Sequence, residues 1–291
     1  MTPLMQGKTV LVSGATSGIG QAIAVGLAKM DARVIITGRN PARGRAAVAD
    51  IQQASGNRNV DFLMADMASQ AEIHRLADLV LATYPQLDVL INNVGVSAPQ
   101  RQLSADGIEL NFAVNHLAGF LLTQRLLPLL KHSAPARIIQ VTGGLVGKLN
   151  RSDLLVENSP YSGFAAYSHS KTIMMAASYE FARRLDGTNV TLNVAYPGSV
   201  PGTHMRSQPS TAPIWLRLVR RFVDTSAEEA AHSSLYLASS PTVEGVTGQY
   251  FNQKAKRLNW PEAVYEATLR AEIWELSQRL AHLTPETMPA L

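Results

Sequence analysis

A tyrosine and a lysine stand four residues apart in the run Tyr167-Ser168-His169-Ser170-Lys171. On a helix that spacing puts both side chains on one face. A phenol beside an ammonium can move protons near neutral pH, because the opposite charge favours the phenolate and lowers a pKa of about 10. The same spacing also occurs in helices that do no chemistry. Its meaning depends on the elements that position it.

Those elements are read from an ordinary composition. The 291 residues are 46% apolar and 16% charged, which suits a single α/β domain over 1–291 with much buried sheet and helix. There are no cysteines, which excludes disulfides, thiolate metal ligands and a cysteine nucleophile. No stretch reaches the ~20 apolar residues of a membrane span. The few residues before the first apolar run leave no room for a signal peptide, so the expected location is cytoplasmic. The net charge is +4. Its arginine clusters, Arg39, Arg43 and Arg45 and then Arg217, Arg220 and Arg221, lack the interleaved aromatics of a nucleic-acid surface. The first reads as a phosphate site and the second as a polar helix face.

Lys8 to Ser13 is a short apolar, β-branched run. It is followed by Gly14-Ala15-Thr16-Ser17-Gly18-Ile19-Gly20 and then by Ile23, Ala24 and Leu27 at helical spacing. Strand, glycine turn and helix together form a cradle whose unpaired backbone N–H groups suit a pyrophosphate. The next strand, Arg33 to Thr37, ends at Gly38-Arg39-Asn40. An acid there would bond a ribose 2′-hydroxyl, whereas an arginine accommodates a 2′-phosphate. Arg39 therefore favours NADP(H) over NAD(H). Further strands read at Val60–Asp66, Leu87–Ile91, Arg137–Val141 and Val190–Val194, with helical patterns between them. The alternation predicts a doubly wound, Rossmann-type parallel sheet flanked by helices, with ligands at the strand carboxyl ends.

With these residues in order, the chain resembles the short-chain dehydrogenase/reductase family over roughly residues 7 to 255. The resemblance rests on Gly14-x-x-x-Gly18-x-Gly20, Asp66, Asn92-Asn93-x-Gly95, Asn115, Tyr167-x-x-x-Lys171 and Pro197-Gly198. It is most similar to retinol-dehydrogenase-type members, through Asn115 to Thr123, a long insert before Tyr167, and Trp274-Glu275-Leu276-Ser277 on a helix expected over about 261–283. The resemblance implies an oxidoreductase that interconverts an alcohol and a carbonyl, with Tyr167 as general acid/base. Lys171 would lower the tyrosine pKa and hold the nicotinamide ribose. Asn115 would anchor a relay water through a local helix distortion. Gly14, Thr16, Ser17, Gly18, Ile19 and Gly20 would hold the pyrophosphate, Asp66 and Met67 the adenine, and Asn93, Val94 and Gly95 the adenosine ribose. Pro197, Gly198 and Val200 would border the nicotinamide.

The chain departs from the family where a serine normally polarises the substrate carbonyl. Aligned from Arg137, the residues are Val141-Thr142-Gly143-Gly144, and the serine position falls on Gly143. Thr142 is one place early and points to the other face of a regular strand, unless a bulge brings it round. Three readings stay open. Thr142 or Ser162 takes the serine's part; a substrate group or water does; or the fold serves an isomerisation, elimination, cyclisation or binding without turnover. Losing one such donor costs about 10²–10³ in rate, which handicaps a site without extinguishing it. A second departure is Pro201-Gly202, which puts a glycine where the family has a threonine.

Residues 199–225 are expected to form a lid. Ile214, Trp215, Leu218, Val219 and Phe222 make an apolar face there. It can pack on the protein's own core, meet substrate or, less readily, rest on a membrane. With few charges in the insert and lid, the expected partner is a lipophilic small molecule. A homo-oligomer stays open. His116, His169 and His204 form no ligand set with nearby acids, so no metal is expected.

Overall fold

The apolar runs form strands buried along their length. β1 (Thr9–Val12) and β4 (Val89–Asn92) are buried at every residue, while β5 (Ala136–Val141) and β6 (Val190–Ala195) have one partly accessible residue each. Strands buried on both faces need helices on both faces. The computed structural model describes residues 4–143, 149–198 and 226–283 and has that architecture. β2 (Arg33–Gly38), β3 (Val60–Met64), β7 (Tyr250–Phe251) and β8 (Arg257–Leu258) complete a sheet of order β3-β2-β1-β4-β5-β6-β7-β8. Every pairing from β3 to β7 is parallel, and β8 is antiparallel to β7. The strand order reverses between β1 and β4, and that switch point opens a crevice at their carboxyl ends.

Among the described residues the α-helices are α1 (Gly18–Lys29), α2 (Pro41–Ser55), α3 (Gln70–Thr83), α4 (Leu110–Phe112), α5 (Ala118–His132), α6 (Gly163–Arg184), α7 (Ala227–Ser239), α8 (Glu262–Tyr265) and α9 (Ala267–Leu280). The period-two pattern of the strands divides the core. Val10, Val12, Val34 and Ile36 pack with Ile23 and Leu27 of α1 on one face. Leu11, Ile35, Leu90 and Ile138 pack with α5 and α6 on the other, around Phe120, Leu121 and Phe181. Burial of each such large aliphatic side chain contributes about 1.5–3 kcal/mol.

Three details differ from the sequence reading, and a fourth, the helix distortion expected at Asn115, takes a definite form. β3 stops at Met64, so Asp66 sits beyond the strand. β7 and β8 are two residues each, too short to carry a period. The carboxyl-terminal helix is broken at Glu266 into α8 and α9. Between α4 and α5 the helix widens into a π-helical segment, Ala113–Leu117, centred on Asn115. Gly144, Val200, His204 and the expected lid at 199–225 lie outside the described residues.

Candidate active site

The glycine turn leaves β1 at Ser13, and the residues just past β4 hold it in place. Asn93 Nδ2 donates to the carbonyls of Ser13 and Gly14 at 3.0 and 3.2 Å. The Ser13 hydroxyl accepts from the N–H groups of Asn93 and Val94 at 3.0 and 3.3 Å. Asn93 therefore braces the turn with its side-chain amide, and Val94 abuts Gly14. Gly18 has φ +59°, a conformation L side chains rarely adopt, and a β-carbon there would meet nothing within 4 Å. It faces open space. Ser17, at the start of α1, makes no side-chain cap, whereas Asn40, Ser69 and Ser226 cap α2, α3 and α7. The first N–H groups of α1, from Gly18, Ile19 and Gly20, are left to a ligand.

At the end of β2, Thr16 lies against Gly38, and Arg39 is exposed. Arg43, one turn into α2, reaches across to the Ser17 hydroxyl at 3.4 Å. Arg43 is thus the guanidinium tied to the glycine turn, and its place in an arginine cluster was the sequence signal for it. Asp66 accepts from the Ala68 N–H at 2.9 Å, while Met67 is buried. With Ser13, Val94 and Asn115, Met67 lines a cavity of about 10 Å³. Beyond β6, Pro197 is buried and Gly198 has φ +83°.

The tyrosine and lysine lie on α6, which starts from the exposed Ser162. The Ser162 hydroxyl accepts from the Ala165 N–H at 3.5 Å as the helix cap. Tyr167 and Lys171 are both buried, at 8% and 3% exposure. Lys171 Nζ lies 5.9 Å from the centre of the Tyr167 ring and 3.4 Å from the Val141 carbonyl at the end of β5. Burial lowers the Lys171 pKa to about 8.

Gly143 faces the tyrosine. A β-carbon added to it would overlap the Tyr167 hydroxyl and come within 3.0 Å of Cζ. The volume in which a serine side chain would begin is filled by the tyrosine's own oxygen. Thr142 continues the ladder from β5, its N–H bonding the Ala195 carbonyl at 2.9 Å. Its buried hydroxyl is directed at the Gly143 carbonyl at 3.4 Å. Gly143, then, is the residue set against Tyr167.

Asn115 ties the site together. Its Oδ1 accepts from the Val96 N–H at 2.7 Å, and its Nδ2 donates to the Val96 carbonyl and the Ser170 hydroxyl, both at 2.9 Å. Ser170 in turn donates to the Tyr167 carbonyl at 2.7 Å. Ser170 went unassigned in the sequence, though it stands inside the Tyr-x-x-x-Lys run. Among the described residues no cluster of His, Asp or Glu could hold a metal ion, and no helix is long and apolar enough to cross a membrane.

This arrangement of sheet, glycine turn and Tyr-Lys helix defines a Rossmann-type fold with a proton-transfer pair at the strand carboxyl ends, and sequence comparison gives its family. A short chain dehydrogenase model matches residues 8–213, and the chain belongs to the short-chain dehydrogenase/reductase family. It falls among the retinol-dehydrogenase-like members. It is 39% identical to Retinol dehydrogenase 14 of Homo sapiens over 96% of this chain and 88% of that protein. It is 37% identical to Retinol dehydrogenase 12 of Homo sapiens over 95% and 87%. Among solved structures, an uncharacterised Mycobacterium paratuberculosis protein superposes with a TM-score of 0.76 at 28% identity, covering 95% of this chain and 94% of that one. The Pseudomonas aeruginosa RhlG/NADP active-site complex gives a TM-score of 0.70 at 27% identity, over 87% and 97%.

Proposed function

We propose that this protein is an NADP(H)-dependent oxidoreductase that interconverts an alcohol and a carbonyl on a lipophilic small molecule. The carrying observation is the Tyr167–Lys171 pair, buried together at the carboxyl end of β5 beside Asn115. The names of the relatives, retinol dehydrogenases, support the class of substrate. The solved RhlG/NADP complex supports a nicotinamide cofactor.

The chain's own residues fit that cofactor. Gly18 faces open space, and α1 begins without a side-chain cap, so N–H groups can meet a pyrophosphate. Arg39, exposed at the end of β2, and Arg43, bonded to Ser17, would hold an adenosine 2′-phosphate, and no acid from 37 to 40 prefers a free hydroxyl. When bound, the nicotinamide supplies or takes the hydride. In the reductive direction Tyr167 gives its proton to the substrate oxygen while the carbon gains hydride, so the carbonyl becomes an alcohol. The Lys171 ammonium stabilises the phenolate left behind. Asn115 and Ser170 hold α6 against the turn after β4 so that the phenol keeps its aim.

Gly143 favours a second reading, in which Tyr167 serves proton transfer without hydride transfer, as in an isomerisation, elimination or cyclisation. The donor missing at Gly143 handicaps polarisation of a carbonyl by about 10²–10³ in rate, while the Tyr167 proton remains available to either reaction. Fluorescence titration with NADPH and NADH, followed by a panel of aldehydes and ketones, separates the two. Tight NADPH binding with turnover supports the oxidoreductase; binding to neither dinucleotide sinks it; binding without hydride transfer to any carbonyl favours the second reading.

A further inference from the structure

The π-helical segment poses a mechanical question. A π turn is rare and appears mostly as a single turn at functional sites. Here the Ala118 N–H reaches back to the Ala113 carbonyl, and the segment must be held against relaxing to an ordinary α-helix. Asn115 is one anchor, through Val96 and Ser170. The next residue, His116, makes the other.

His116 is 3% exposed, and its Nε2 lies 2.7 Å from the hydroxyl of Ser277 on α9, 161 residues away. The Ser277 hydroxyl donates its proton to the Ile273 carbonyl at 2.6 Å. The serine oxygen therefore accepts, and Nε2 is the ring nitrogen that carries hydrogen. The ring is neutral, because burial lowers its pKa to about 3. It packs edge-on against Phe112 at 5.1 Å, and α9 is seated by Trp274, whose ring lies 5.0 Å from Phe120 and 5.1 Å from Phe181. Phe181 belongs to α6, the helix of Tyr167 and Lys171.

We propose that Ser277 and His116 are positioning residues: the carboxyl-terminal helix locks the π segment from outside the site and so fixes Asn115, Ser170 and Tyr167. Adjacent helical residues point in different directions, so separate bonds from 115 and 116 fix both the rotation and the height of the segment. When the outer bond is lost, the segment can return to α geometry. Asn115 then turns away from Val96 and Ser170, and α6 loses the brace nearest the tyrosine. The glycine turn, Arg39 and Arg43 are untouched, so the pyrophosphate and 2′-phosphate share of cofactor affinity is preserved, and only the Lys171 contact on α6 is exposed to the change.

The proposal rests on the oxidoreductase reading for its kinetic arm only. The variants are Ser277→Ala, His116→Phe, their double, and Ser277→Thr, which keeps the hydroxyl. His116→Phe keeps an aromatic ring for the Phe112 and Phe120 contacts. The measurements are amide hydrogen exchange over residues 113–118, the Kd for NADPH, and kcat on the best carbonyl of the panel. The expected result is faster exchange over 113–118 in both single variants and a kcat lower by about tenfold to a hundredfold. The double should be no worse than either single, Ser277→Thr should recover, and the NADPH Kd should change far less than kcat. Unchanged exchange in Ser277→Ala overturns the lock, whatever the turnover. Faster exchange with unchanged kcat overturns its positioning role, and so do additive losses that fall together with NADPH affinity. A wild-type protein with no turnover defeats the oxidoreductase reading instead, while exchange still decides the lock.

Discussion

Two glycines at the carboxyl edge of the sheet, Gly18 after β1 and Gly143 after β5, look interchangeable in sequence and are opposites in space. Gly18 holds a positive φ and looks onto open space, so its missing side chain leaves backbone N–H groups accessible to a ligand. Gly143 looks onto the Tyr167 hydroxyl, so its missing side chain is replaced by the protein's own phenol. On the β1 side the chain makes room for something it binds. On the β5 side it fills the room with its proton donor.

The largest effect should come from the residue that fills that room. Tyr167→Phe removes the proton donor and should lower kcat by about 10²–10⁴-fold, with NADPH affinity intact by fluorescence titration; unchanged turnover would remove Tyr167 from the mechanism. On the β1 side, Arg39→Ala and Arg43→Ala should each weaken NADPH by about 1.5–3 kcal/mol, the worth of a hydrogen bond to a charged group, and NADH by far less. Equal losses for both dinucleotides would overturn the 2′-phosphate assignment. Next in size, Gly143→Ser should fail to rescue the family's missing hydroxyl. It forces Tyr167 aside at a cost of about 1–3 kcal/mol in packing, and turnover should fall while cofactor affinity holds. Gly18→Ala should do the reverse, costing about 1–2 kcal/mol for a side chain at positive φ and acting on cofactor binding. If Gly143→Ser raises kcat, the two glycines are alike after all.

The smallest effects are in pH. The His116 pKa is about 3 in the fold against 6.5 when unfolded, so between those values the unfolded chain holds the extra proton. Its contribution is fully present above about pH 6.5 and is lost as pH falls toward 3, at no more than about 1.4 kcal/mol per pH unit. His116→Phe should flatten that slope in denaturant titrations. Lys171, with a pKa near 8, should lose its ammonium above that pH, and kcat/KM for reduction should decline there. A kcat/KM that is flat through pH 8–10 would mean that the lysine charge plays no part.

The same contrast explains what could be read in advance. The sheet and glycine turn are legible because β-branched runs, helical spacing and glycine act locally, each through its own backbone preference. The motif positions Asn115, Tyr167 and Lys171 were legible as residue types, and the absent donor at Gly143 as a gap. Which oxygen fills the gap was not legible, since that depends on how α6 packs against the end of β5. The π segment carries no composition of its own, and the distortion at Asn115 was expected from the family resemblance alone. Its outer anchor, Ser277, is 161 residues from His116, and no local pattern connects them. Arg43 showed as charge, but its reach to Ser17 needed the α2 geometry.

Deuterium transfer tests the central claim most directly. The protein is incubated with NADPH deuterated at the transferable position of nicotinamide C4 and with a carbonyl substrate, and the product is analysed by mass spectrometry. The account predicts one deuterium on the carbinol carbon, formed by the wild type and lost in Tyr167→Phe. Bound NADPH with a product free of deuterium would contradict it and assign Tyr167 to proton transfer alone.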